Sequence, residues 1–250
     1  MLDRKAKLTE FVNRLKDVAA TNLKSIILYG SAARGDFHEA HSDLNLLCVF
    51  NSLAVEELSR TAPIIHWWSV EQNEPAPLFF TSEELKHSAD VFSIEILDMQ
   101  ESRQVLHGED TVAAINVTMN LHRLQVEREL RTVILKLRQH YLRTPGDAKE
   151  LTPILRKSFS GVLTLLRHTI IAFGEEAPSA PHDIVARAAA LTNSNASSFD
   201  AVLHVRETGS LHGDIVPVYG AYLAELEKVI RALDQHLPKG EWRRVKNTTS

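Results

Sequence analysis

With one cysteine in 250 residues, Cys48, the chain can build neither an internal disulfide framework nor a cysteine-rich zinc site. It also lacks a basic excess: 28 Lys and Arg stand against 32 Asp and Glu, a formal charge of -4 with a pI near 6.3. A general duplex-DNA binder is normally basic, so nucleic acid is not an expected partner. No apolar run reaches the length of a membrane span, and Met1-Leu2-Asp3-Arg4-Lys5 leads into no apolar stretch. No membrane partner is expected, and the location predicted is the cytoplasm. What remains is ordinary globular composition, 44% hydrophobic and 24% charged, on a length suited to one large domain or two modest ones.

Charge is shared unevenly along that length. Residues 1–112 hold 10 Lys and Arg against 18 Asp and Glu, a net of -8, while the remainder nets +4. The turn-like Leu106-His107-Gly108-Glu109-Asp110 lies where the balance changes, which places a domain junction there. In the acidic part, Leu8, Phe11, Val12, Leu15, Val18 and Ala19 recur at three and four and predict an amphipathic helix. Strands are predicted at 25–29, 43–50 and 77–80, and a fourth over Phe92-Ser93-Ile94-Glu95-Ile96-Leu97. Val55, Leu58 and Ala62 suit a short helix, and Thr81-Ser82-Glu83-Glu84 is a capping box that should open another. Beyond residue 112 the pattern turns helical. One stripe is Leu121, Leu124, Leu130, Val133, Ile134, Leu137 and Tyr141; a second is Ile154, Leu155, Phe159, Val162, Leu166 and Ile170; a third runs from Val218 to Leu233. The fold class predicted is α/β with a mixed sheet over residues 1–112, an all-α bundle over 113–238, and a polar tail over 239–250.

Chemistry concentrates in Leu28-Tyr29-Gly30-Ser31-Ala32-Ala33-Arg34-Gly35-Asp36, followed by Ser42-Asp43-Leu44-Asn45-Leu46-Leu47. A strand that ends in Gly-Ser and opens a helical turn offers backbone N–H groups to a phosphate, with no side chain in the way. Arg34 adds a planar cationic fork suited to phosphate oxygens. Along the next strand Asp43 and Asn45 share one face, while Leu44, Leu46 and Cys48 face the core. An acid on a strand beside a phosphate cradle is how Mg²⁺ is held against a nucleotide.

In this combination the segment resembles the nucleotidyltransferases of the DNA polymerase beta type. Their short motif is Gly-Ser, a spacer, and Asp-x-Asp on a strand. Small bacterial members that add a helical bundle, such as the aminoglycoside nucleotidyltransferases, are the nearest in layout. The resemblance implies transfer of a nucleoside monophosphate from an NTP, ATP first, to a hydroxyl-bearing acceptor that is a small molecule or a protein. It implies Mg²⁺ held by three carboxylates, with the nucleotide site at the junction of the two parts. Gly30 and Ser31 would touch the triphosphate and Asp43 would be the first metal ligand. Glu95, between Ile94 and Ile96 on its expected strand, would be the third carboxylate, with Asp98 as the fallback. In the bundle, Glu127 or Glu129 would accept the proton of the acceptor hydroxyl.

One position departs from the motif: Asn45 stands where the family has its second aspartate. An amide oxygen can ligate Mg²⁺ but brings no charge. Losing one unit charge at a few ångströms weakens attraction by about 1–4 kcal/mol per ion at effective dielectrics of 80 to 20. One ion is expected at Asp43 and Glu95 with Asn45 as a neutral ligand, and a second would be poorly held. Two readings stay open: an active transferase, or a catalytically impaired pseudoenzyme acting as a nucleotide-binding, regulatory or antitoxin-like module.

Other features read more simply. His38-Glu39-Ala40-His41 has one residue too few after the glutamate for the zinc-protease helix. Trp67-Trp68 could stack a base, but packing is the preferred reading. Cys48 reads as a small core residue. The +4 of the helical part comes with no aromatic or glycine signature of an RNA module.

Overall fold

The computed structural model describes residues 3–34 and 44–236, and of Ser31 and Arg34 it describes the backbone alone. Asp43, the His38–His41 stretch and the tail from Lys239 lie outside the described residues. The chain divides into two compact units, Met1–Val117 and Thr118–Ser250.

In the first unit, helix α1 (Arg4–Ala19) begins at Asp3, whose carboxylate accepts from the Lys5 N–H at 2.8 Å. Its Phe11, Leu15 and Ala19, four apart, are fully or almost fully buried. They meet a four-stranded sheet made of β1 (Leu23–Tyr29), β2 (Asn45–Phe50), β3 (Leu78–Thr81) and β4 (Arg103–Gly108), in the order β3-β2-β1-β4. Strand β1 is antiparallel to both neighbours, and β2 is parallel to β3. The parallel pair is joined by α2 (Val55–His66) and a π-helical turn (Trp67–Glu71). Ile26, Leu28, Leu44, Leu46, Cys48 and Phe50 share a core with Phe11, Leu15 and Trp68. On the opposite sheet face Ile27, Leu47 and Val49 are equally inaccessible, so the two central strands are covered on both sides. The tryptophans are packing: Trp68 is 0% exposed, donates to the Pro75 carbonyl at 2.9 Å and lies 4.7 Å from the Phe11 ring. Cys48 is also fully buried, and burial pushes its thiol pKa far up, away from any nucleophilic role.

The capping box holds. Thr81 accepts from the Glu84 N–H while Glu84 accepts from the Thr81 N–H, starting α3 (Ser82–His87). The fourth strand does not lie where the pattern placed it. Residues 93–97 belong to helix α4 (Ser93–Glu101), with Phe92 at its N-cap, and the strand is β4, in the stretch that reads as a turn. Ile94 and Ile96 mimic a period of two. The buried set Ser93, Ile96, Leu97 and Gln100 follows the helical spacing instead. Strand β4 sits at a sheet edge with Gln104 and Val105 exposed, so it carries little hydrophobic signal. Gly108 ends it at φ +74, where a Cβ would come within 1.9 Å of the Lys24 carbonyl oxygen.

The second unit is helical: α5 (Met119–Arg143), α6 (Ala148–Ala172), α7 (Pro181–Thr192), α8 (Ala196–Thr208) and α9 (Ile215–Gln235). Asp147, Asn195 and Asp214 cap three of them. The buried stripe of α5 is Met119, His122, Val126, Leu130, Ile134 and Leu137; Leu121 and Leu124, expected in it, are exposed. Tyr219 of α9 donates to the Leu137 carbonyl of α5 at 2.8 Å. Among the described residues no helix is long and apolar enough to cross a membrane.

A buried ion pair ties α1 to the segment before β3. Lys7 Nζ lies 2.8 Å from Glu74 Oε1 and 3.0 Å from the Gln72 carbonyl, and Glu74 Oε2 accepts from the Leu44 N–H at 3.2 Å. Both side chains are about a tenth exposed, at 9% and 10%. Removing one partner strands a charge, so Lys7→Met alone is expected to cost about 3–5 kcal/mol in urea unfolding. Lys7→Met with Glu74→Leu should recover most of that loss. Gly108→Ala, which forces a backbone clash, should lower the melting temperature far more than Gly220→Ala, where nothing lies within 4 Å of the new carbon.

Candidate functional site

The end of β1 is where the structure gathers polar groups. Tyr29 pairs with Asn45 of β2 on one side and Arg103 of β4 on the other. Gly30 follows at φ +81, a left-handed conformation that side chains rarely adopt. The chain then turns through a 3₁₀ helix, Ser31–Arg34. The Gly30 carbonyl accepts from the Ala33 N–H at 3.0 Å and from Ser102 Oγ at 3.0 Å. The Gly30 N–H donates to the Ser102 carbonyl, also at 3.0 Å.

That last bond corrects the expectation of a free Gly30 donor. Its N–H is committed to Ser102, so what Gly30 leaves open is the space a side chain would fill. The next N–H groups along the chain are those of Ser31 and Ala32, the first two residues of the 3₁₀ helix. Asn45 stands against this turn, its Nδ2 lying 3.5 Å from where a Gly30 Cβ would project. Leu44 and Leu46 on either side are buried in the core, which places the half-buried Asn45 on the opposite face of the sheet.

Glu95 reaches the same end of the sheet from helix α4, not from a strand as the sequence pattern suggested. Its charge acts on Tyr29, whose hydroxyl pKa is pushed up to about 12, first by burial and second by Glu95. Asp98 is three residues on along α4 and half-buried like Glu95, so the two acids share one helix face. The helix is anchored at its far end. Gln100 Nε2 donates to the carbonyls of Val112 and Ile115 at 3.1 and 2.6 Å, and Arg103 bonds the Gln100 carbonyl and the Asp110 carboxylate. Ser102, between the anchor and the Gly30 turn, has no signal in the sequence: a lone serine between two elements looks like any linker residue.

Glu127 lies in the second unit on α5, only 8% exposed. Its oxygens are 3.2 Å from Arg123 Nη1 and 2.8 Å from Arg131, one helical turn to either side. Arg123 also donates to the Leu233 carbonyl of α9, so this acid belongs to a clamp between two helices. Glu129, also expected as a candidate, is half-buried on the same helix. Among the described residues no group of three or more His, Cys, Asp or Glu side chains is placed to hold a metal ion.

Residues 7–97 match the family model of the nucleotidyltransferase domain. This segment is a nucleotidyltransferase domain of the DNA polymerase beta superfamily. The match runs from α1 into α4 and takes in Gly30, Asn45 and Glu95. The chain is similar in fold to the spectinomycin adenyltransferase AAD(9) from Enterococcus faecialis, a crystal structure with ATP and spectinomycin. That likeness has a TM-score of 0.52 at 12% identity and covers 91% of this chain and 99% of the other. No curated protein matches the chain.

The proximity of Glu95 to Tyr29 in the nucleotidyltransferase domain can be measured. Carbon-13 NMR of labelled tyrosine, assigned with Tyr29→Phe, should find Tyr29 ionising near pH 12. Glu95→Gln should lower that value partway, because burial, the larger cause, remains. A tyrosine in the unfolded chain ionises near 10. The stability Tyr29 contributes is therefore full below about pH 10 and lost as pH rises to 12.

Proposed function

We propose that the protein transfers a nucleoside monophosphate from an NTP to a hydroxyl-bearing acceptor. The observation that carries this reading is the convergence, at one end of the sheet, of the left-handed Gly30 turn, Asn45 and the Glu95–Asp98 face of α4, all within or next to the matched domain. Gly30 admits a phosphate close to the backbone, the N–H groups of Ser31 and Ala32 face it, and Arg34 follows within the same turn. Asp43 lies two residues before Asn45 in the sequence, and Asp43 and Glu95 are the carboxylates that would hold Mg²⁺. When bound, that ion supplies charge neutralisation on the triphosphate. ATP is the favoured donor, and a small polyhydroxylated cation or a protein hydroxyl the acceptor, because AAD(9) holds ATP and spectinomycin. The net of -8 over residues 1–112 suits a cationic acceptor. Glu127 has its carboxylate in two ion pairs, and as a base it would give one up. The proposal therefore assigns the nucleotide side of the reaction: Gly30, Ser31, Arg34, Asp43 and Glu95.

A second reading rests on Asn45. With a neutral amide in place of the second aspartate, the same pocket would bind nucleotide without turnover and act as a regulatory or antitoxin-like module. One pair of measurements separates the two. In a thermal melt, millimolar ATP with Mg²⁺ should raise the midpoint by several degrees, since ligand at a hundred times its Kd adds about 2.7 kcal/mol. Transfer of label from ATP to aminoglycoside or protein acceptors, abolished by Asp43→Ala, establishes the enzyme. A melting shift without transfer to any acceptor establishes the binding module. No shift with any NTP sinks both.

A further inference from the structure

The amide at position 45 has a more specific use than that of a weakened metal ligand. The Asn45 backbone pairs with Tyr29 across the sheet, its chain neighbours Leu44 and Leu46 are 2% and 1% exposed, and its Nδ2 lies 3.5 Å from where a Gly30 Cβ would project. A carboxylate in that place could approach a phosphate only through a cation, since both are negative. An amide nitrogen carries two N–H donors and can approach a phosphate oxygen directly. The missing Cβ of Gly30 leaves open the space that Nδ2 borders, next to the N–H groups of Ser31 and Ala32. We propose that Asn45 donates a hydrogen bond from Nδ2 to a non-bridging phosphate oxygen of the bound nucleotide, in the place otherwise taken by a cation and its carboxylate. The inference rests on the nucleotide reading given above. It assigns the departure from the Asp-x-Asp motif a binding role: part of the affinity for the triphosphate is independent of divalent metal.

Calorimetric titration of the full chain with ATP, once in EDTA and once in Mg²⁺, tests this directly. In EDTA, Asn45→Ala should weaken ATP by about tenfold, the value of one hydrogen bond to a charged acceptor. Asn45→Asp, nearly the same shape, should weaken it further in EDTA and gain more than wild type when Mg²⁺ is added. Sodium tripolyphosphate should show the same dependence on position 45, whereas adenosine binding should not change, a contrast that a general loss of structure would not produce. Should Asn45→Ala fail to fold, the isosteric Asn45→Asp carries the comparison alone. Equal affinity of wild type and Asn45→Asp for ATP in EDTA overturns the role of Asn45 while leaving the nucleotide site intact. Wild type that binds no ATP in either buffer overturns the nucleotide reading, and this inference with it.

Discussion

Two hydrogen bonds between Gly30 and Ser102 are the constraint on which the candidate site depends. One is donated by the Gly30 backbone and the other accepted by it, so the turn after β1 cannot swing without breaking both. Ser102 is the residue at which α4 ends and β4 begins, and the reciprocal bond therefore joins the Gly30 turn to the helix that carries Glu95 and Asp98. Gln100 and Arg103 bind that junction to the segment 110–115. A chemistry that needs a backbone turn and a carboxylate at fixed separation is best built on parts that are mutually clamped. Here the clamp consists of main-chain groups and short side chains, which lose little entropy when ordered.

The other approach to the site is secured differently. Glu74 reaches the Leu44 N–H just before β2 and is itself held by Lys7 on the buried stripe of α1. Asn73, between the two residues that Lys7 bonds, has φ +53, a conformation asparagine tolerates better than most residues. Burying an ion pair is seldom the cheapest source of stability. A bond that fixes the strand immediately after Asp43 is a reason to keep one.

Legibility followed the strength of the hydrophobic pattern. The apolar runs of β1 and β2, the α1 stripe and the Thr81 capping box all produce strong local signals, and the structure has each where its residues imply. The fourth strand failed because two opposing cues fell side by side. The period-two Ile94 and Ile96 sit in a helix whose burial repeats at three and four, and the real strand lies at an edge with its alternation washed out. Of the site, Gly30, Asn45 and Glu95 were visible as residue types at telling offsets. That the Gly30 N–H is occupied, and that Ser102 occupies it, depends on a contact 72 residues apart along the chain, which no local pattern carries.

The position of Asn45 limits what selection could have placed there. Strand β2 is buried on both faces from Leu46 to Phe50, and only at its first residue does the sheet end leave a side chain half exposed. An apolar residue would fit the strand but offer nothing to a polar turn. A carboxylate would stand with Glu95 near the same strand end, and two like charges in a partly desolvated place raise each other's energy unless a cation stands between them. An amide avoids that repulsion and keeps a donor aimed at Gly30. Position 45 thus joins the covered sheet to the polar turn, and a neutral amide there leaves Glu95 without a like charge beside it when no cation is bound.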